Sequence, residues 1–178
     1  GFTLRFRIKS VSAQFAEKII LQYTVKVSSW EEFMVKYTFK YHPDPIKTGI
    51  FKNDTSVTCD CCGKKTDLYY TGPFYSIEDV DYLCPQCISS GAAAEKFDGD
   101  FQDSESTDKV SNPEKLDELI HRTPGYCGWQ QEYWLAHCDD YCAFLGYFTW
   151  DKLVEMGIAK EIEETYRTDI CMLDISDA

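Results

Sequence analysis

The residues best suited to chemistry in this sequence are cysteines that occur in two short segments. Cys59 and Cys62 are separated by two residues, and Cys84 and Cys87 repeat that spacing further along the chain. Two pairs of this kind are typical of a site in which four thiolates bind one zinc ion. A two-residue spacer lets one tight turn direct both sulfurs toward a tetrahedral Zn²⁺ about 2.3 Å away. The pattern predicts a zinc site whose ligands are Cys59, Cys62, Cys84 and Cys87.

Two neighbouring residues support this prediction. Gly63 follows the first pair and can adopt the left-handed backbone conformation that closes a turn around a metal. Pro85 lies inside the second pair and restricts its φ angle. Because four protein thiolates leave no coordination position for water, we expect a structural zinc rather than a catalytic one. Such an ion can contribute roughly 10 kcal/mol or more to folding.

The cysteines also allow other interpretations. Cys61 lies between the members of the first pair, so it could replace Cys59 or Cys62 as a ligand or remain a spare thiol. Two disulfides would require an oxidising compartment, and a CxxC pair alone also fits thiol exchange. Two pairs at this spacing favour metal over both. The pattern leaves the roles of four further cysteines open: Cys127, Cys138, Cys142 and Cys171.

Composition and charge restrict the class of protein. The chain has 178 residues, of which 44% are hydrophobic and 15% aromatic, enough to fill a core. It has no apolar run long enough to span a membrane and no signal-peptide pattern. Nine cysteines, an odd number with four at metal spacing, favour a reducing compartment, so we expect a cytoplasmic protein.

The formal net charge of −12 indicates the type of partner. A nucleic-acid-binding protein needs a positive face for the phosphates, so nucleic acid is disfavoured. An acidic surface instead attracts a basic protein over long distances. The candidate partner contacts are five aspartates: Asp98, Asp100, Asp103, Asp139 and Asp140.

The hydrophobic pattern predicts an α+β fold, in which a small antiparallel sheet with zinc-ribbon-like knuckles of four cysteines is accompanied by several short helices. Asn112 followed by Pro113 is typical of a helix start. Further helices are predicted from Gly128 to about Cys138 and after the capping residue Thr149, with a buried strand over residues 141–150 between them.

The distribution of charge indicates two parts of the chain. Residues 1–40 carry seven Lys or Arg and three Asp or Glu, whereas the remainder is strongly acidic. A shift of this size suggests that the first part of the chain, which has a strand–helix–strand pattern, is a separate module or an addition. Met34 could be a natural start, which would make residues 1–33 an addition to the native chain.

Several short motifs of residues 37–150 together are similar to one protein family. They are Tyr41–Pro45, Cys59–Gly63, Tyr70–Tyr75, Leu83–Cys87, Lys96–Asp98, Arg122–Gly125, Gly128–Glu132 and Trp134–Cys138. This set resembles the CbrC family, small bacterial proteins associated with tolerance to colicin E2. The resemblance begins near Tyr37, which makes residues 1–36 an N-terminal extension and residues 37–178 the zinc-binding domain. It also implies a zinc-type cysteine cluster and a link to a DNA-cutting toxin. The chain would then act like an immunity protein, with a basic toxin domain as its partner.

An enzyme is the alternative to a binding protein. His42, Glu132 and His137 are candidate acid–base groups, and a solvent-open pocket that joins them would support catalysis. However, Glu132 and His137 are five residues apart and do not stack on one helical face. The sequence contains no nucleophile, base and orienting group at a recognisable spacing. We therefore favour a protein-binding function over an enzymatic one.

Overall fold

The computed structural model of the chain describes residues 37–128, 132–160 and 163. The elements predicted for residues 1–36 lie outside these residues, and the predicted domain boundary before residue 37 remains a prediction. The chain divides into two compact units, and Gly146 and Tyr147 fall on opposite sides of the division. No helix of the described residues is both long enough and apolar enough to cross a bilayer.

The larger unit contains short antiparallel hairpins. Its strands are β1 (Phe51–Lys52), β2 (Val57–Thr58), β3 (Lys65–Thr66), β4 (Tyr69–Tyr70), β5 (Ala136–His137) and β6 (Asp140–Tyr141). Strand β1 pairs with β4, β2 with β3, and β5 with β6. An isolated two-stranded pair is at best marginally stable in water, so these strands depend on what packs around them.

Short helices complete the described elements. They are α1 (Pro85–Ser89), α2 (Ala92–Phe97) and α3 (Pro113–Arg122) in the larger unit and α4 (Trp150–Glu155) in the smaller one, with a 3₁₀ turn at Ser104–Ser106. Helix α3 begins as predicted, because the Asn112 side chain accepts a hydrogen bond from the Glu114 N–H and Pro113 occupies the first turn. The predicted α+β class, with small antiparallel sheets and several short helices, is confirmed.

Two groups of buried side chains form the core of the larger unit. The first surrounds Tyr70, whose hydroxyl donates to the Pro73 carbonyl and accepts from the Gly125 N–H at 2.8 and 3.0 Å. It includes Cys59, Cys84 and Cys87. The members of the second are Tyr41, Leu119, Trp134 and Tyr141. The predicted knuckles therefore contribute directly to the first core group.

The helix predicted from Gly128 to Cys138 is wrong for the residues described. Ala136 and His137 form strand β5, and Trp134 pairs through its backbone with Ser106 and Asp108. The Asp108 carboxylate also accepts from the Tyr133 hydroxyl and the Ala136 N–H. These contacts with a distant segment satisfy backbone groups that a helix would have paired internally.

The strand predicted over residues 141–150 is also largely wrong. Only Tyr141 belongs to a strand, and residues 142–149 have no regular structure. Two backbone contacts account for the path of this segment: the Cys142 N–H donates to the Leu135 carbonyl and the Phe144 N–H donates to the Tyr41 carbonyl, both at 2.8 Å. The capping role of Thr149 is confirmed: its side chain accepts from the Lys152 N–H at the start of α4.

Candidate metal centre

The sulfurs of the four predicted ligands lie together. All four ligand atoms are within 4.8 Å of one another, with no ion present. The sulfurs of Cys84 and Cys87 are 3.5 Å apart, and those of Cys59 and Cys87 and of Cys62 and Cys84 are 3.9 Å apart. Within the described ranges, no other group of three or more His, Cys, Asp or Glu residues could hold a metal.

These distances distinguish a metal centre from disulfides. Four sulfurs at about 2.3 Å from a tetrahedral ion are separated from each other by about 3.8 Å. A disulfide would bring two sulfurs to about 2.05 Å, and all four cysteines are free thiols. The alternative of two disulfides is therefore not what the structure contains. The arrangement has the dimensions of a tetrahedral four-thiolate site.

The first knuckle is a tight turn between β2 and β3. The Cys59 N–H donates to the Lys64 carbonyl at 2.9 Å, and the Gly63 N–H donates to the Cys59 carbonyl at 2.8 Å. Gly63 has a φ angle of 70°, as the sequence predicted. A residue with a side chain would be strained in this conformation, so glycine lets the turn close.

The second knuckle is the start of helix α1. Cys84 precedes the helix, Pro85 takes its first position, and Cys87 lies one turn later, so one helical turn directs both sulfurs to one side. The Cys84 N–H donates to the Cys59 sulfur at 3.3 Å. This hydrogen bond joins the two knuckles and stabilises a thiolate at Cys59.

The electrostatics of the cluster favour a bound cation. A hydrogen bond between the Cys59 and Cys84 side chains lowers the pKa of Cys59 to about 4. The same contact raises the pKa of Cys84, and burial raises the pKa of Cys87. Close, partly buried thiols cannot all ionise beside one another without compensation. A divalent cation removes this restriction because it stabilises each thiolate that coordinates it.

Cys61 lies beside the cluster without being one of its four members. Its side chain is half-buried and packs against the first core group. Burial raises the pKa of the Cys61 thiol. The Lys96 ammonium donates to the Asp60 and Cys61 carbonyls at 2.7 and 2.8 Å, which places a positive charge against the outside of the first knuckle.

The sequence reasoning missed Asp60, which lies within the first knuckle. Its carboxylate accepts from the Asp81 and Tyr82 N–H groups at 2.9 and 2.8 Å. Its own N–H donates to the Tyr82 carbonyl at 2.9 Å. Asp60 thus attaches the segment before Cys84 to the knuckle. Its position between two ligand cysteines was the available signal, but one aspartate in a turn does not reveal a partner 21 residues away.

The five candidate partner-binding aspartates are not equivalent in the structure. Asp140 pairs with Lys40 and Lys115 at 2.9 and 3.6 Å, and Asp139 hydrogen-bonds Ser111. Both carboxylates are therefore used within the chain. Of the other three, Asp98 is exposed directly after α2. Asp100 contacts His121 at 3.1 Å, and Asp103 caps the 3₁₀ turn.

The residues of the enzyme alternative are not joined by hydrogen bonds within the described residues. His42 is fully buried. Its Nδ1 forms a hydrogen bond with the Pro124 carbonyl at 2.9 Å, and its Nε2 forms one with the Thr48 hydroxyl at 2.7 Å. Glu132 accepts from the Gly128 N–H, and exposed His137 lies 3.9 Å from the Cys138 sulfur. His42 is thus a buried structural residue with both ring nitrogens paired.

Comparisons with known proteins indicate one family. The model of a family described as "Uncharacterised protein family (UPF0167)" matches residues 37–174. The chain is 38% identical to UPF0167 protein PA1536 of Pseudomonas aeruginosa over 122 residues, 67% of this chain and 68% of that protein. It is 44% identical over 110 residues to UPF0167 proteins Mb2317 of Mycobacterium bovis and MT2352 of Mycobacterium tuberculosis. That match covers 61% of this chain and 58% of each relative. No solved structure matches.

These matches correct the resemblance to the CbrC family. The family model and the relatives carry the UPF0167 description, and none of their names concerns colicin tolerance. The assignment to CbrC is therefore wrong, and the role in toxin tolerance that it implied has no support. The cysteine cluster does not depend on that assignment, because it follows from spacing and geometry.

Proposed function

We propose that this chain, which belongs to the UPF0167 family, is a zinc-organised module that binds a basic protein. The observation that carries the proposal is the cluster of four thiols, whose ligand atoms all lie within 4.8 Å of one another, with three sulfur pairs at 3.5 to 3.9 Å. Four protein ligands complete a tetrahedral shell and leave no position for a water or substrate. The metal would therefore hold a surface in place rather than perform a reaction.

Zinc is the metal that we propose for the site. A tetrahedral set of four thiolates suits Zn²⁺ or iron, whereas magnesium and calcium prefer oxygen ligands. Three of the sulfurs belong to residues that are at least nine-tenths buried, which suits an ion that serves the fold. Reduced thiols are maintained in the cytoplasm, so we propose that the protein acts there.

A basic protein is the partner that the charge favours. The net charge of −12 gives the surface a negative potential that accelerates encounter with a cationic protein. The same charge opposes binding to nucleic acid. Asp98 is exposed directly after α2, where its carboxylate is accessible to a cationic partner.

Metal analysis combined with partner capture tests this function. The tagged protein would be purified from its native cell at low salt, eluted with about 0.5 M NaCl, and assayed for zinc, iron and co-purifying proteins. We expect one zinc per chain and a basic partner in stoichiometric amount. The Cys84→Ser variant, which lacks a ligand, is expected to retain neither. The proposal would be disproved if the wild-type chain carried no metal, or if the same proteins co-purified with the wild type and with Cys84→Ser.

A further inference from the structure

The segment between the two knuckles carries exposed apolar side chains. In residues 73–82, Ile77 is 95% exposed, Tyr75 48% and Tyr82 39%. They are three of the seven large hydrophobic residues that are exposed in the described part of the chain. Single exposed apolar residues are ordinary on a protein surface, but Ile77 is almost fully exposed and shares its short segment with two further exposed aromatic residues.

The fold of this segment does not require Ile77. Phe74 and Val80, three residues before and after it, are half-buried and pack against the first core group. The Phe74 ring lies 4.7 Å from that of Phe101. The segment is therefore anchored on both sides of Ile77, while Ile77 itself remains in solvent.

The metal centre holds the segment in a defined conformation. At one end, Asp60 in the first knuckle makes three hydrogen bonds with Asp81 and Tyr82. At the other end, the backbones of Tyr75 and Asp100 exchange two hydrogen bonds, at 2.8 and 2.9 Å. A surface that is ordered before binding loses less conformational entropy when a partner arrives.

Charge identifies the chemistry of the occupant. Ile77 is followed by exposed Glu78 and Asp79 and then by exposed Asp81, and none of these acids forms an ion pair with a described residue. Anionic lipid and nucleic acid would be repelled by these carboxylates, as would a second copy of this acidic chain. A cationic protein segment would be attracted to them.

We infer that residues 75–82 form the docking surface for a cationic protein segment whose apolar side chains pack on Ile77, Tyr75 and Tyr82. This inference rests on the proposed protein-binding function and adds the location of the surface and the chemistry of the partner. Apolar contact provides affinity that charge alone would not, and the acidic side chains favour a partner of positive charge.

Two synthetic peptides of equal length and net charge test the inference on the zinc-loaded protein. One places lysines and arginines around a leucine face, and the other replaces the leucines with serine. We expect the leucine peptide to bind at least about ten times more tightly and to shift the amide resonances of residues 75–82. Ile77→Ser is expected to lower the ratio of the two affinities, because it removes the most exposed of the three apolar side chains of the surface. Val154→Ser, which removes an aliphatic side chain that is 56% exposed on α4, should leave the ratio unchanged.

The controls separate this inference from the proposed function. Glu78→Gln with Asp79→Asn should weaken both peptides and reduce their salt dependence, because it removes charge without apolar area. The inferred docking surface would be wrong if Ile77→Ser left the ratio of the two peptide affinities unchanged. It would also be wrong if the peptide shifted only the amide resonances of other acidic regions. If the wild-type protein associates with itself and Ile77→Ser abolishes that association, the occupant of the surface is a second copy of the chain, and the inference is overturned. The zinc content and the captured partner would still test the proposed function independently.

Discussion

Cys61 has the properties of a packed thiol rather than those of a ligand. Its neighbours Cys59 and Cys62 contribute sulfurs to the cluster, while its own side chain packs against the first core group. Burial raises the pKa of the Cys61 thiol, which opposes the thiolate that a metal requires. The spacing alone left Cys61 as an alternative ligand because a turn of this size brings three sulfurs near one point.

Serine substitutions at two neighbouring cysteines test this distinction. We expect Cys61→Ser to bind one zinc per chain with an affinity near that of the wild type. Cys62→Ser removes a ligand and should weaken zinc binding by at least about 100-fold. Competition with a chromogenic chelator measures both affinities. Equal weakening in the two variants would show that Cys61 also serves as a ligand.

His42 gives the stability a specific dependence on pH. Burial lowers the pKa of His42 to about 4, from about 6.5 in an unfolded chain. Between these values the unfolded state binds more protons, so stability decreases as the pH falls from about 6.5 to about 4 and is unaffected by this group above that range. The contribution lost between pH 7.5 and 5 is about 2 kcal/mol.

Urea unfolding of the zinc-saturated wild type and of His42→Gln at pH 7.5 and 5 measures this contribution. Between pH 7.5 and 5, the free energy of unfolding of the wild type should fall by about 2 kcal/mol more than that of the variant. The acid sensitivity of the metal centre is common to both proteins and cancels in the comparison. Identical pH profiles would show that His42 does not titrate as its buried position requires.

At the scale of elements, local chemistry predicts some structure and distant contacts decide the rest. The knuckles and helix α3 were predictable because their signals, Gly63, Pro85 and the pair Asn112 and Pro113, act within a few residues. Strand β5 was not, because its path depends on hydrogen bonds with Asp108, 28 residues away from Ala136. The conformation of residues 73–82 was not predicted either, because their attachment to the first knuckle depends on hydrogen bonds between Asp60 and the backbone of Asp81 and Tyr82.

The β5–β6 hairpin contains a turn that the sequence does not optimise. Cys138 and Asp139 connect the strands with φ angles of 53° and 58°, as a two-residue type I′ turn requires. Asparagine tolerates positive φ better than cysteine, so Cys138→Asn should stabilise the chain by about 0.5 to 1 kcal/mol. Cys138→Val should destabilise it, because β-branched residues disfavour this conformation. Thermal unfolding of the two variants measures the difference, and an unchanged midpoint in both would contradict the turn assignment.

At the scale of the whole molecule, a metal bound by the four cysteines would compensate for the small size of the sheets. The described strands contain two residues each, which is too few to be stable alone. Three ligand cysteines are buried in the first core group, so the ion would lie directly against the apolar interior. A structural zinc contributes about 10 kcal/mol or more, as much as the total stability of a typical domain.

Removal of the metal should therefore expose the core around the knuckles. In hydrogen exchange after chelation under reducing conditions, we expect residues 57–97 to lose protection, because their hairpins and helices α1 and α2 pack on the cluster. Helix α3 should lose less, since its buried Leu119 belongs to the second core group. Added Zn²⁺ should restore protection and Mg²⁺ should not, because thiolates bind hard cations weakly. If the chelated protein kept the exchange pattern of the loaded one, the ion would not be what organises this fold, and the docking surface between the knuckles would have to be held by the apolar core alone.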